Sequence, residues 1–309
     1  MEQIIQVILE SGRSAIDIAL YILLPIMVVM MAIMKLLDHY GFLAWVARTV
    51  SPILTPLGIP GIGVFAAIKI LLVSFAAPVA SFTIMDQDGT SKRYIAAALA
   101  MIMTMSQANV VFPMIAVGLD LQVVLVSSII GGLVAAITTF HLLARKLQAD
   151  VVHNIEPNPF ESNKNPIQIM IDGGTEGTKV VLAAIPMLIL ALCFVNTLKA
   201  TDAISAISFL LATPLSWVGL PEAAVLPIVT KVIAGGTAYM GVTMDLLNQG
   251  KLTALELNRM AGLVIHPLDI VGVAIYALAG SRVASIMKMA IAGALVGITV
   301  RAIIHLLWF

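Results

Sequence analysis

Long apolar runs alternate with short polar stretches along the chain. Three of these runs contain no Asp, Glu, Lys or Arg: 94–119, 121–144 and 180–198. A helix needs about 20 predominantly apolar residues to cross the hydrocarbon core of a bilayer, so each run is long enough. The period-two alternation of a membrane β-barrel is missing. The pattern predicts an all-α polytopic membrane protein.

Composition supports the same class and excludes others. The 309 residues are 60% hydrophobic and only 11% charged, whereas soluble domains average about 25% charged residues. The mean hydropathy is +1.05. The formal net charge is zero, which gives no electrostatic basis for binding nucleic acid. The single cysteine, Cys193, excludes an internal disulfide and argues against thiolate metal chemistry.

The N-terminus predicts a retained first helix. Glu2, Arg13 and Asp17 precede the first apolar run, and no small-residue cleavage site follows. We therefore expect no cleavable signal peptide and a multi-pass protein of the cell (inner) membrane. Residues 1–13 are expected to form a short amphipathic leader, and the first span is expected over 18–34.

One segment is written twice in the chain. Residues 57–89 recur as 218–250: Gly58 and Pro60 return 161 positions later as Gly219 and Pro221. The repeat predicts two tandem membrane repeats, 1–146 and 174–309, joined by a polar linker over 147–173. Duplicated, Gly/Pro-interrupted segments are typical of transporters built from inverted repeats. Inversion is the orientation we expect here.

Further features follow from loop chemistry. Arg145 and Lys146 precede the linker, so the positive-inside rule predicts that it is cytoplasmic. The proline-ended stretches 41–56 and 203–217 suit interfacial or re-entrant helices.

Glycine and proline also predict breaks within apolar segments, because proline cannot continue a helix and glycine weakens it. The predicted breaks lie at Pro78, Pro113, Gly235, Gly236 and Pro267.

The strongest candidate site is the sequence His266-Pro267-Leu268-Asp269. A break at the proline would start a half-helix inside the membrane, where free backbone N–H groups attract anions. At the corresponding depth, the first half offers three neutral polar side chains. These are Ser106, Gln107 and Asn109. The alternative is structural: His266 and Asp269 cap the break, and the neutral side chains form interhelical hydrogen bonds.

Two lysines occupy matching positions in the repeats. Lys69 and Lys231 each stand alone in an apolar run, a costly position unless the charge faces a cavity, a bundle interior or the interface. They are candidates to bind a solute or to pair with an acid such as Asp269 or Asp245. The alternative is that they extend to the interface. His266, Asp269 and Asp245 are candidates for coupling to an ion or a proton, since histidine titrates near neutral pH.

Other chemistry is not indicated. The seventeen methionines are scattered without a His/Cys cluster, and core filling explains them better than metal binding. The sequence has no phosphate loop, nucleophile elbow or HExxH motif, so we expect no enzyme, metal or cofactor. Expected partners are the lipid bilayer and a small-molecule solute, with a homo-oligomer as a further option.

Residues 41–89 carry TVSPILTPLGIPG, a lysine-bearing helix and a charged DQDGT turn. This run resembles the nucleoside-recognition, or gate, domain family. That family includes the spore-maturation A and B proteins, occurs in ferrous iron transporter B and is related to concentrative nucleoside transporters. TPLSWVGLPE and the residues after it look like a second gate domain. The resemblance implies paired repeats with broken helices that act in permeation or export of a small solute.

Two functions are consistent with these features. The first is a transporter or permease for a small polar solute, with an anionic or zwitterionic one fitting the lysines, bound at the midplane between the repeats. The second is a non-transporting scaffold or accessory protein of an envelope or developmental complex. Loss of binding or flux on mutating His266 and Asp269 would favour the first.

Overall fold

The computed structural model describes residues 2–147, 165–200 and 211–309, and these residues form helices without strands. Within them, six helices are long and apolar enough to cross a membrane. The protein is therefore a multi-pass, all-helical membrane protein. The helices of the first half are α1 (Glu2–Asp17), α2 (Leu24–His39), α3 (Phe42–Leu54), α4 (Gly61–Leu72), α5 (Val79–Gln87), α6 (Lys92–Thr104), α7 (Ala108–Ile115) and α8 (Leu121–Thr138).

The second half begins with α9 (Pro166–Ala200). A helical segment at 211–217 is α10. It is followed by α11 (Val225–Asn248), α12 (Ala254–Val264), α13 (Ile270–Ala277), α14 (Ser281–Ser285) and α15 (Met287–Trp308). Most of the predicted linker lies outside the described residues. Its last part, 166–173, forms the first two turns of α9. Of the helix predicted over 203–217, the structure describes residues 211–217.

The N-terminal leader and first span are one helix, which corrects the expected division. α1 continues through a π-helical segment, Ile18–Leu23, into α2, and Ile5–His39 forms one apolar helix of 35 residues. Pro25 lies just after the π-helical segment. Its ring cannot be accommodated by regular α-helical hydrogen bonding to the preceding turn, and a π-segment absorbs such a misfit. Arg13 and Asp17 stay exposed while Ala15 and Ala19 pack inward.

The stretch after α2 forms a sharply bent helix pair, in line with an interfacial or re-entrant segment. Residues Phe42–Leu57 and Gly61–Leu72 meet at an angle of 115°. Gly58 lies at the bend with φ of 91°, a conformation in which side chains are strained. A Cβ atom there would lie 2.4 Å from the ring of Phe140. The bend thus requires glycine for both its backbone conformation and its packing.

Besides the bend at Gly58, four interruptions break apolar helices in the described part of the chain. Residues 73–78 separate α4 from α5, 105–107 separate α6 from α7, and 265–269 separate α12 from α13. Inside α11, Gly235 has non-helical dihedral angles of φ 82° and ψ −176°. Pro78, Gly235 and Pro267 lie at these interruptions. The prediction of a break at Pro113 is wrong, because Pro113 lies inside α7, where it removes only one backbone donor.

The two broken helices α6–α7 and α12–α13 run in opposite directions. α8 continues through a π-helical segment, Thr139–Leu143, and α6 begins at this C-terminal end, where Arg93 Nε donates to the carbonyl of Phe140 at 2.9 Å. α12 begins at the N-terminal end of α8, where Asn258 Nδ2 donates to the carbonyl of Gly118 at 2.8 Å. Because α8 has the length of a single span, its two ends lie on opposite faces. The corresponding helices of the two halves are therefore inverted.

Candidate functional site

All four interruptions meet at one cavity of about 320 Å³. Each contributes residues to the lining, and α9 closes one side with small and flexible apolar side chains. The lining residues are Ser74, Phe75, Ala76, Gln107, Asn109, Val180, Ala183, Ala184, Met187, Ala234, Gly235, Gly236, Thr237, Asp269 and Val271. The cavity is thus built from the irregular backbone of both halves. Its few polar side chains stand in a largely apolar wall, as in many small-molecule sites.

Asp269 and Lys231 form a buried ion pair at this cavity. Lys231 Nζ donates to Asp269 Oδ2, and the two side chains are 2% and 4% exposed. Asp269 Oδ1 caps α13 by accepting the backbone N–H of Gly272 at 2.7 Å. The pair therefore holds α11 against the break between α12 and α13. Lys231 itself lies outside the cavity lining, so the group that reaches the cavity is the carboxylate.

Gln107 supplies an amide without a partner to the same cavity. Its Nε2 atom is buried and has no hydrogen-bond partner among the described residues. A Cβ atom on Gly236 would lie 1.8 Å from this Nε2, so glycine at this position leaves the amide its place at the cavity. A buried amide donor without an acceptor costs free energy. A bound solute with an acceptor group could take a hydrogen bond from this amide and remove that cost.

Asn109 connects the cavity to the first interruption. Its Oδ1 accepts the backbone N–H of Phe75 at 3.3 Å. The carbonyl of Phe75 accepts from the hydroxyl of Tyr276 at 2.6 Å, and the Tyr276 ring packs edge-on against Phe82. The loop between α4 and α5 is thereby fixed by polar contacts from both broken helices. It presents Ser74 and Phe75 to the cavity.

Ser106 lies away from the cavity, contrary to its expected role in binding. Its hydroxyl accepts from Arg301 Nη2 at 2.5 Å and from Ser128 Oγ at 2.7 Å. Its backbone N–H donates to Ser128 Oγ at 3.1 Å. Ser106 therefore stabilises the break by interhelical hydrogen bonds, the alternative that its polarity left open.

Arg301 is a central residue that is missing from the candidate site residues of the sequence. Its side chain is fully buried, and Nη1 donates to the carbonyls of Thr104 at 2.6 Å and Ile265 at 2.8 Å. Thr104 is the last residue of α6 and Ile265 is the C-cap of α12, and the helix dipole favours a cation at both ends. Gly131 makes room for the side chain, since a Cβ there would lie 2.4 Å from Arg301 Cγ. The available signal was a lone arginine between apolar runs of the last helix.

His266 does not reach Asp269. Its Nε2 contacts the carbonyl of Leu263 at 2.8 Å, and its Nδ1 accepts the backbone N–H of Leu268 at 3.1 Å. A carbonyl only accepts and an amide only donates, so the ring is held as the neutral Nε2–H tautomer. Both ring nitrogens are satisfied by the backbone of the break itself. His266 therefore shapes the interruption and does not face the cavity.

Lys69 and Asp245 also lie apart from the cavity. Lys69 is half-buried, and its ammonium lies 4.3 Å from the centre of the Phe65 ring, a cation–π contact. Asp245 lies in the last turn of α11, where its Oδ2 accepts from Gln249 at 2.7 Å. The two repeat-related lysines are therefore not equivalent: only Lys231 is joined to the cavity, through Asp269.

Comparisons with known proteins agree with this architecture. Residues 20–147 match the sequence model of the Gate family, described as nucleoside recognition. No curated protein matches the sequence. Among solved structures, CNTnw in an inward-facing, substrate-bound state is similar at 15% identity and a TM-score of 0.68, covering 99% of this chain and 83% of that one. A double variant of CNTnw in an outward-facing state gives 14% identity and a TM-score of 0.69, with 99% and 83% covered.

A third similar structure, a CNTnw variant in an intermediate state, has 16% identity and a TM-score of 0.69, covering 93% of this chain and 74% of that one. TM-scores of 0.68 to 0.69 establish a common fold, even at these low identities. The chain thus shares the fold of CNTnw over nearly its whole length, and its first half carries the Gate match.

Proposed function

We propose that this protein transports a small, polar solute of zero net charge across the membrane, and that the solute binds in the cavity where the four interruptions meet. The convergence of these interruptions carries the proposal. Interrupted helices at membrane depth are tolerated where they line a cavity, and transporters place their binding sites between inverted repeats in this way. Here the repeats are 1–146 and 174–309, and the site would lie near the bilayer midplane.

The charges of the cavity favour a neutral or zwitterionic solute over an anion. Asp269 is the charged residue of the lining, and Lys231 neutralises it. The lysine is thus already engaged, which argues against an anionic solute, one of the two alternatives that the sequence left open. The amides of Gln107 and Asn109 add neutral donors and acceptors. A solute with several hydrogen-bonding groups and one apolar face against Phe75 would fit this lining.

Nucleosides are the first candidates within this class. They carry no net charge, and they combine a polar sugar with a flat base. The Gate match is described as nucleoside recognition, and the CNTnw structures belong to a concentrative nucleoside transporter. The cavity volume of about 320 Å³ lies at the lower end of the range for small-molecule sites, roughly 300–1,000 Å³. We therefore propose a nucleoside-sized solute. We also propose that the protein lies in the inner membrane and that its linker is cytoplasmic.

Binding and transport can be measured with the purified protein. Radiolabelled nucleosides, nucleobases and neutral amino acids would be tested for binding in nanodiscs and for uptake into proteoliposomes. We expect Gln107→Ala and Asn109→Ala to weaken binding of the accepted solute about tenfold, the effect of one lost hydrogen bond of about 1.4 kcal/mol. Gln122→Ala is the matched control, since Gln122 is exposed on α8.

Two outcomes would contradict the proposal. A solute that binds equally well to all three variants would not occupy this cavity. The absence of both binding and uptake across the panel would favour a non-transporting scaffold, for which the cavity has no solute.

A further inference from the structure

The ion pair between Lys231 and Asp269 holds the ammonium group of the lysine against the carboxylate that lines the cavity. Both side chains are almost fully buried. Removing one partner of such a pair leaves an uncompensated charge in a medium that solvates it poorly. The pair is therefore a strong constraint on what else can bind there.

Both oxygens of Asp269 are already engaged. Oδ2 accepts from Lys231 and Oδ1 accepts from the backbone of Gly272. Within the described residues, no group of three or more His, Cys, Asp or Glu side chains could hold a metal ion. A dissolved cation would have to displace the ammonium of Lys231 to reach this carboxylate.

The other ionisable groups around the pair are also committed. His266, on the same interruption, is held as a neutral tautomer by two backbone contacts. Tyr276 on α13 donates to the carbonyl of Phe75. Arg301 on α15 donates to two carbonyls and to Ser106. All three side chains are engaged with other partners, so none of them is left to hold a proton beside the carboxylate of Asp269.

We propose that Lys231 acts as a built-in counter-ion of Asp269, so that solute binding needs neither a co-bound sodium ion nor a proton. This inference rests on the proposed function and specifies its mode of transport. A cation that belongs to the chain cannot be released with the solute, so transport would not be coupled to a cation gradient at this site. Asp269, which the sequence marked as a candidate for coupling, would then be a binding group that is permanently neutralised.

The test uses a cycle of charge variants in nanodiscs. Solute affinity would be measured for the wild type, Lys231→Met and Lys231→Met/Asp269→Asn, with sodium replaced by choline and with pH varied on both sides of neutrality. In the wild type and the double variant, we expect affinity to be independent of both cations. In Lys231→Met, the unpaired carboxylate needs a new cation. Affinity should then rise with sodium or with acid, by about tenfold per pH unit for a single linked proton.

Lys231→Arg keeps the positive charge, so its solute affinity should remain independent of sodium and of pH. This variant keeps the test informative if Lys231→Met fails to fold. Sodium-dependent or proton-dependent binding by the wild type would overturn the inference. So would a Lys231→Met variant that binds as independently of cations as the wild type.

A second measurement separates this inference from the proposed function. The unfolding temperature of the solute-free protein would be recorded for the same variants and conditions. Stabilisation of Lys231→Met by sodium or acid, absent in the double variant, would support the counter-ion even if no solute is found. Lack of any solute binding in the wild type would count against the proposed function alone.

Discussion

Arg301 and Lys231 are both buried cations, but they contact different kinds of acceptor. Lys231 neutralises one carboxylate, whereas Arg301 distributes its donors over two helix-terminal carbonyls and one hydroxyl. The planar guanidinium suits the second task, because it presents several donors in a fixed fork. Arg301 is therefore the residue that joins the ends of α6 and α12.

Replacing Arg301 should destabilise the protein more than replacing any exposed cation. Arg301→Met leaves the carbonyls of Thr104 and Ile265 without their donor, and we expect a loss on the order of 3 kcal/mol or more in the free energy of unfolding. Arg301→Lys should restore part of it. Lys288→Met is the control, since Lys288 is exposed on the same helix. Thermal unfolding in detergent is the measurement, and equal unfolding temperatures for Arg301→Met and the control would contradict the role assigned to Arg301.

At the scale of single residues, the sequence could show which polar groups are buried but not which way they point. Gln107, Asn109 and Asp269 stood out as polar groups in apolar surroundings, and they line the cavity. Ser106 and His266 stood out equally and turn away from it. Side-chain direction at an interruption depends on the local backbone, which helical periodicity does not describe.

At the scale of elements, α11 packs closely against the start of α7 because Gly236 has no side chain. Gly236 packs against the amide of Gln107, and Gly235 provides the positive φ at which α11 is interrupted. The two glycines have separate tasks, one in conformation and one in packing. The packing task is the one that bears on solute binding.

Gly236→Ala should weaken solute binding while leaving stability nearly unchanged. The new Cβ would lie 1.8 Å from Gln107 Nε2, so the flexible amide must leave its place at the cavity. We expect about a tenfold loss of affinity, that of one hydrogen bond. Gly12→Ala is the control, because no atom lies within 4 Å of a Cβ at that position. Unchanged affinity together with a lowered unfolding temperature would show that Gly236 serves only packing of the helices.

The interruptions could be predicted where glycine or proline causes them and not elsewhere. Pro78, Gly235 and Pro267 lie at three of them. The fourth, at 105–107, contains neither residue and depends on Ser128 and Arg301, which are distant in sequence. Pro113 gave the opposite error, because a proline inside a helix does not by itself end it.

At the scale of the whole molecule, the distribution of cations predicts the orientation in the membrane. The end of α8 that contacts the start of α6 gathers a group of basic residues. These are Lys92, Arg93, Arg145, Lys146, Arg282 and Lys288. Arg282 belongs to this face because its Nη2 donates to the carbonyl of Thr90 at 2.6 Å. Lys251 and Arg259 lie near the opposite end of α8. From the positive-inside rule we therefore predict that the first face is cytoplasmic.

Cysteine labelling checks this orientation. In a Cys193→Ala background, a membrane-impermeant maleimide should label Lys251→Cys in intact cells. Lys146→Cys should be labelled only after the cells are permeabilised. Both positions are exposed, so a difference in labelling reports the side of the membrane. The reverse pattern would invert the orientation of the whole protein.

The contacts of Arg301 also have a consequence for biosynthesis. Arg301 follows Thr104, whose carbonyl it binds, by 197 residues. At about 5–20 residues per second, a ribosome needs about 10–40 s to synthesise the intervening chain. During that time the first broken helix is in the membrane without the donor that closes its break. The centre of the protein can therefore reach its final form only after the last helix has been inserted.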